Sequence, residues 1–104
     1  MATLPQLTDE QRDAARAKAA EARRVRAEVK NLLKMGSLTL PALFERAESD
    51  EIVAKMKVVQ AIEALPGVGK VKARRAMEEI GIADTRRLRG LGDQQRARLL
   101  EMFS

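Results

Sequence analysis

Two glycines one residue apart, followed at once by cations, are the part of this 104-residue sequence best suited to hold an anion. The segment is Leu65-Pro66-Gly67-Val68-Gly69-Lys70-Val71-Lys72-Ala73-Arg74-Arg75. It reads as the end of one helix, a tight turn and the start of a basic helix. Glycine takes up left-handed backbone at little cost and has no Cβ, so the amides of such a turn can come close to an external group. The first turn of the next helix adds N–H donors without intrahelical partners and the positive end of the helix dipole. Gly67, Val68 and Gly69 would supply amides, and Lys70, Lys72 and Arg74 the charge. This chemistry suits a phosphate and holds a nucleic-acid backbone without reading a base.

Leu88-Arg89-Gly90-Leu91-Gly92 repeats Leu65-Pro66-Gly67-Val68-Gly69 at an offset of 23 residues. In each copy the central apolar residue, Val68 or Leu91, is placed to plug into the core while the glycines keep the outer backbone bare. Two such turns would offer donors to successive phosphates, the second through Gly90 and Gly92. Arg86, Arg87 and Arg89 straddle Leu88. With Leu88 inward, their guanidinium groups fan out on the solvent side, where arginine forks onto phosphate or enters a narrow minor groove. Lys55 and Lys57, with Arg23 and Arg26 upstream, are secondary candidates for DNA contact. The competing readings are glycine turns that serve helix packing alone and basic residues that form a solvated face.

The chain has no cysteine and no histidine. That excludes disulfides and thiolate metal sites, makes a zinc site a poor fit and removes the commonest general base, so neither metal, cofactor nor catalysis is expected. Tyr and Trp are absent, and the two aromatics, Phe44 and Phe103, fall at core-like positions. Binders of single strands and of RNA loops use exposed stacking rings. The composition therefore favours duplex DNA held by its backbone, with weak sequence preference. The formal net charge is +5, and residues 70–98 carry nine Lys/Arg against four Asp/Glu, whereas residues 1–69 carry eleven against ten. The excess thus lies beside the glycine turns and points to a polyanion. No apolar run reaches membrane-spanning length and no signal-peptide pattern occurs, so the expected location is cytoplasmic.

The elements that must position these residues are all helical, because the apolar spacing follows threes and fours and no alternating run occurs. After a short arm over residues 1–7, Thr8 and Gln11 form a capping box for a long helix ending at Gly36. Its second half carries the stripe Ala22, Val25, Val29, Leu32 and Leu33 and should pack on the body, while the alanine-rich first half projects. Thr39 and Pro41 start a second helix that runs to about Ala47, with Leu43 and Phe44 inward. Ser49-Asp50-Glu51 caps a third. After a bend near Met56-Lys57 comes a helix with Val58, Ala61, Ile62 and Leu65 on one face. A helix from about Gly69 to Ile80 buries Ala73, Ala76 and Met77 and stops at Gly81, with Ile82 following. Thr85 caps a single turn over residues 86–88, and Asp93 caps a last helix burying Leu99, Leu100 and Phe103. The expectation is one all-α domain over residues 1–104, a long N-terminal helix plus a bundle of short ones, with residues 1–21 as arm and helix start. No coiled-coil seam is long enough to demand a dimer, so a monomer is expected.

On these residues the chain resembles the actinobacterial integration host factors. The tracts that carry the resemblance are Leu4-Pro5-Gln6-Leu7-Thr8-Asp9-Glu10-Gln11-Arg12, Ala47-Glu48-Ser49-Asp50-Glu51, Lys55-Met56-Lys57-Val58, Glu63-Ala64-Leu65 with the turn that follows, and Thr85-Arg86-Arg87-Leu88-Arg89-Gly90-Leu91-Gly92-Asp93. The resemblance implies a helix–two-turn–helix motif, also found in a small-subunit ribosomal protein and in certain DNA glycosylases. It implies a nucleoid-associated protein that binds duplex DNA with little sequence specificity, alters its shape or topology and assists a phage integrase. It places DNA contacts on Gly67, Val68, Gly69, Lys70 and Lys72, with Arg86, Arg87 and Arg89 after them. The better-known bacterial integration host factor works through β-ribbons and intercalating side chains, and this chain has no strand to build them.

Three other classes remain as alternatives. A glycosylase fragment needs a nucleophile and commonly a zinc finger, but Pro5 is not N-terminal and Cys and His are absent. A ribosome-associated RNA binder fits the charge and the turn equally well. A helical adaptor for protein partners would leave the glycine turns purely structural.

Overall fold

Thr8 opens the first helix with a reciprocal cap. Its Oγ1 accepts the Gln11 amide at 3.1 Å, and its own amide donates to Gln11 Oε1 at 2.9 Å. The computed structural model describes residues 8–103; the arm over residues 1–7 and the Leu4–Leu7 part of the first tract lie outside the described residues. Helix α1 spans Asp9–Lys34. Every residue from Thr8 to Glu21 is exposed, whereas Val29 and Leu33 are fully buried and Ala22, Val25 and Leu32 half-buried. Alanine buries too little apolar area to tie the first half down, so only the Val/Leu half packs.

Thr39 caps α2 (Leu40–Ser49), with Pro41 in its first turn. The helix continues two residues beyond Ala47, and Ser49 is its last residue rather than part of the next cap. Asp50 alone caps α3 (Glu51–Ala54): its Oδ1 accepts the amides of Ile52 at 3.0 Å and Val53 at 3.4 Å. The bend at Met56-Lys57 leads into α4 (Val58–Ala64), and the turn after Leu65 leads into α5 (Gly69–Ile80). Gly81 closes α5 at φ 86°, and the Ile82 amide returns to the Met77 carbonyl at 2.8 Å. That is the Schellman arrangement, with Ile82 as its buried apolar contact.

The segment after Gly81 departs from expectation. Thr85 caps no turn over residues 86–88. The backbone there runs alongside the α3–α4 bend instead: Val58 N–H donates to the Arg86 carbonyl and Leu88 N–H to the Met56 carbonyl, both at 2.9 Å. These bonds form one isolated antiparallel bridge, Lys57 with Arg87, the sole β feature among the described residues. A single 3-10 turn follows at Leu88–Gly90. The last helix, α6, spans Asp93–Phe103. Asp93 is its first residue and not its cap. Gly92 stands in the cap position, its carbonyl accepting Arg96 N–H at 2.9 Å and its amide donating to Gln95 Oε1 at 3.1 Å. Leu99 is fully buried, while Leu100 and Phe103 are only half-buried.

One core joins all of these elements. Val29 and Leu33 of α1 meet Leu40, Leu43 and Phe44 of α2, Val53, Met56, and Val58, Ala61 and Ile62 of α4. Ala73 and Met77 of α5, Ile82, Leu88, Leu91 and Leu99 complete it. The two apolar residues between glycine pairs both face inward: Leu91 is buried, and Val68 packs half-buried against the core.

Candidate nucleic-acid interface

The α4–α5 connection is held from inside and open outside. Leu65 is buried, Val68 N–H donates to the Leu65 carbonyl at 3.2 Å, and Val68 leans on the core. Gly67 at φ 74° and Gly69 at φ 71° are both left-handed and exposed. A side chain is disfavoured at such φ values, which is why glycine stands at both positions. Among the described residues, the amides of Gly67, Gly69 and Lys70 find no protein acceptor. They sit at the N-terminus of α5, where the helix dipole adds positive potential. Lys70, Lys72, Arg74 and Arg75 are exposed on its first turns and make no ion pair among the described residues. The outer part of the turn therefore presents free donors and free charge together.

The second glycine pair is not a structural copy of the first. Gly90 and Gly92 do not have positive φ. Gly90 N–H donates to the Arg87 carbonyl at 2.9 Å, Leu91 N–H to the Leu88 carbonyl at 3.2 Å and Gly92 N–H to Gln95 Oε1. Its amides are thus committed within the protein, and the expected second set of bare donors does not form. Gly90 serves a different purpose. A Cβ there would lie 3.1 Å from Arg86 Cδ, so its bare Cα leaves room for the arginine side chain.

Nor do the three arginines simply fan outward. Arg86 Nη1 donates to the Gly90 carbonyl at 2.9 Å, folding over its own turn. Arg87 Nη1 donates to the Lys55 carbonyl, clamping the arginine segment to the α3–α4 bend. Each guanidinium has five N–H donors, so both keep most of their capacity for an anion. Arg89 makes no hydrogen bond or ion pair among the described residues and is exposed. The bridge brings Lys57 beside Arg87, so the basic pair at the bend and the arginine tract share one surface. Lys55 belongs to that surface too, but its Nζ is 3.0 Å from Glu51 Oε1. The hydrogen bond and charge of Lys55, aided by the charges of Arg89 and Lys18, hold the Glu51 carboxyl below its ordinary range.

Arg23 and Arg26 separate. Arg26 lines a groove between α1 and α3 together with Lys18, Arg46 and Lys55, whereas Arg23 is exposed and outside that groove. Two other cations beyond Gly69 already have partners within the protein. Arg96 lies over the Phe44 ring at 5.5 Å, and Arg98 pairs with Glu101 at 3.4 Å.

The turn itself forms one wall of an open cleft of about 980 Å³, whose opposite wall is α1. Lys30 and Lys34 stand on that wall and Lys70 at the turn, and Glu63 lines the same cleft. In sequence Lys30 reads as an ordinary soluble helix face and Lys34 as the end of a helix. Their i, i+4 spacing beside the inward Val29 and Leu33 is the signal that puts both at the edge of the packed face.

The family model of the S13-like H2TH domain matches residues 33–103. The integration host factor of Mycobacterium tuberculosis (strain ATCC 25618 / H37Rv) is 63% identical over 100 residues, 96% of this chain and 95% of that protein. That of Mycolicibacterium smegmatis is 62% identical with the same coverage. The Streptomyces coelicolor integration host factor is 51% identical, over 96% of this chain and 94% of its own length. The solved structure of sIHF bound to an 8bp palindromic DNA superposes with a TM-score of 0.81 at 48% identity, covering 85% of this chain and 99% of that one. With such identity over nearly its whole length, this chain belongs to the integration host factor family that these proteins represent.

Proposed function

We propose that the chain is an architectural protein that binds double-stranded DNA through its phosphate backbone, with little sequence preference. The observation that carries this reading is the exposed turn over residues 66–69, whose free amides stand at the head of a helix with four unpaired cations. Gly67, Val68, Gly69, Lys70, Lys72 and Arg74 form the primary contact. Arg86, Arg87 and Arg89 extend it, with Gly90 and Gly92 supplying bare surface rather than amides. Lys55, Lys57 and Arg26 are secondary contacts, and Arg23 a more distant one. Duplex DNA is favoured because the 48% identical solved relative is bound to DNA and because Phe44 and Phe103 are at least half-buried and offer no exposed ring for stacking.

The action is binding without bond chemistry. A monomer that coats or reshapes DNA in the nucleoid, and so assists an integrase acting on it, accords with the name its relatives bear. No helix among the described residues is long and apolar enough to cross a membrane. The test is fluorescence anisotropy of a labelled linear duplex and of a structured RNA of equal length, at roughly 50 mM salt, where phosphate contacts are strong. Saturable binding with a preference for the duplex is expected. Tighter RNA binding would replace the proposal with a ribosome-associated role, and no complex with either would end it.

A further inference from the structure

Cations from three separate elements act on one carboxylate, that of Glu51 in the first turn of α3. Lys55, one turn on, brings its Nζ within 3.0 Å. The charges of Arg89, in the 3-10 turn, and of Lys18, on the exposed half of α1, reach it as well. Glu51 borders two grooves: one with Phe44, Leu88 and Arg89, the other with Lys18, Arg26 and Lys55. Its side chain is 73% exposed, and Asp50 performs the capping of α3. Exposed ion pairs of this kind contribute little to stability. A carboxylate at the focus of these cations is, however, an internal competitor for phosphate. A DNA strand that engages Lys55 or Arg89 must displace it or lie beside a like charge.

We propose that Glu51 is an electrostatic brake on DNA binding: its carboxylate occupies Lys55 and shadows Arg89 and Lys18, so the protein holds a duplex less tightly, and releases it faster, than its cations alone would allow. The inference rests on the DNA-binding reading above. Glu51→Gln removes the charge and keeps the shape. Glu101→Gln is the matched control, because Glu101 is 68% exposed and paired at 3.4 Å with Arg98, yet lies on α6 outside both grooves.

At low salt, Glu51→Gln is expected to tighten duplex binding roughly three- to five-fold, the scale of one unit charge a few ångströms away in water. The slope of log K against log salt should steepen by about 0.9, one further phosphate neutralised by the freed Lys55. Glu51→Lys should move both quantities further in the same direction, and Glu101→Gln should leave both unchanged. Circular dichroism melts check that each variant is folded. Unchanged or weaker binding by folded Glu51→Gln overturns the brake while leaving DNA binding in place, as does equal tightening by Glu101→Gln. Absence of binding by the unsubstituted protein overturns both readings.

Discussion

Gly67 and Gly69 differ from Gly90 in what their missing side chain accomplishes. At the first two, no atom lies within 4 Å of the position a Cβ would take, so alanine would meet no clash and would pay only for its left-handed φ. Gly67→Ala is therefore expected to cost about 1 kcal/mol in stability and to lower DNA affinity as the turn re-aims its amides. Urea denaturation and anisotropy titration measure the two effects separately. Gly90→Ala should push Arg86 aside through the flexible end of its side chain and reduce affinity less than Gly67→Ala, because the amides around Gly90 are already committed. The arginines separate in the same way. Arg89→Ala removes a side chain without a protein hydrogen bond, so affinity should fall while the unfolding midpoint stays. Arg87→Ala also loses the bond to the Lys55 carbonyl, and the midpoint should fall by the equivalent of about 1 kcal/mol.

At the scale of elements, the boundaries legible in the sequence are those set by neighbours within four residues. Thr8 with Gln11, Thr39 with Pro41, and Gly81 with Ile82 each start or stop a helix through local bonds, and each does so in the fold. The segment over residues 86–88 is instead set by partners about thirty residues away. Leu88-Arg89-Gly90-Leu91-Gly92 repeats the residues of the first turn, but Arg86, Arg87 and Leu88 are bonded across to the α3–α4 bend, and a 3-10 turn results. The candidate site divides along the same line. The 66–69 turn is legible because Gly, Pro and the cations are contiguous. The approach of Lys30 and Lys34 to it depends on how α1 packs against α4, which spacing alone does not encode. The same packing argues that α1 has two independent halves. With Thr8 to Glu21 exposed throughout, removal of residues 1–21 should leave the bundle folded, with a melting temperature within about 4 °C of the full chain. A larger drop in a thermal melt would mean that the first half does bear on the core.

At the scale of the whole molecule, the charge that meets DNA should be insensitive to pH and highly sensitive to salt. The chain has no histidine and no cysteine, so no side chain with an ordinary value titrates between about pH 6 and 8, and duplex affinity should be flat across that range. The Glu51 carboxyl acts outside that range. It is lowered by Lys55, so the pairing is complete at neutral pH and is lost only as pH falls through the lowered folded-state value, in acid. Salt acts on a different quantity. If Lys70, Lys72, Arg74, Arg86, Arg87 and Arg89 each neutralise one phosphate, log K should fall with log salt at a slope of about −5, a loss near a thousand-fold between about 50 and 200 mM. If instead the amides of Gly67, Gly69 and Lys70 carry the grip, few counterions are released and the slope should stay near about −1 at similar low-salt affinity. A titration series in potassium chloride therefore separates a grip by backbone donors from a grip by side-chain charge. The exposed, unpaired cations of α5 argue for the steep result.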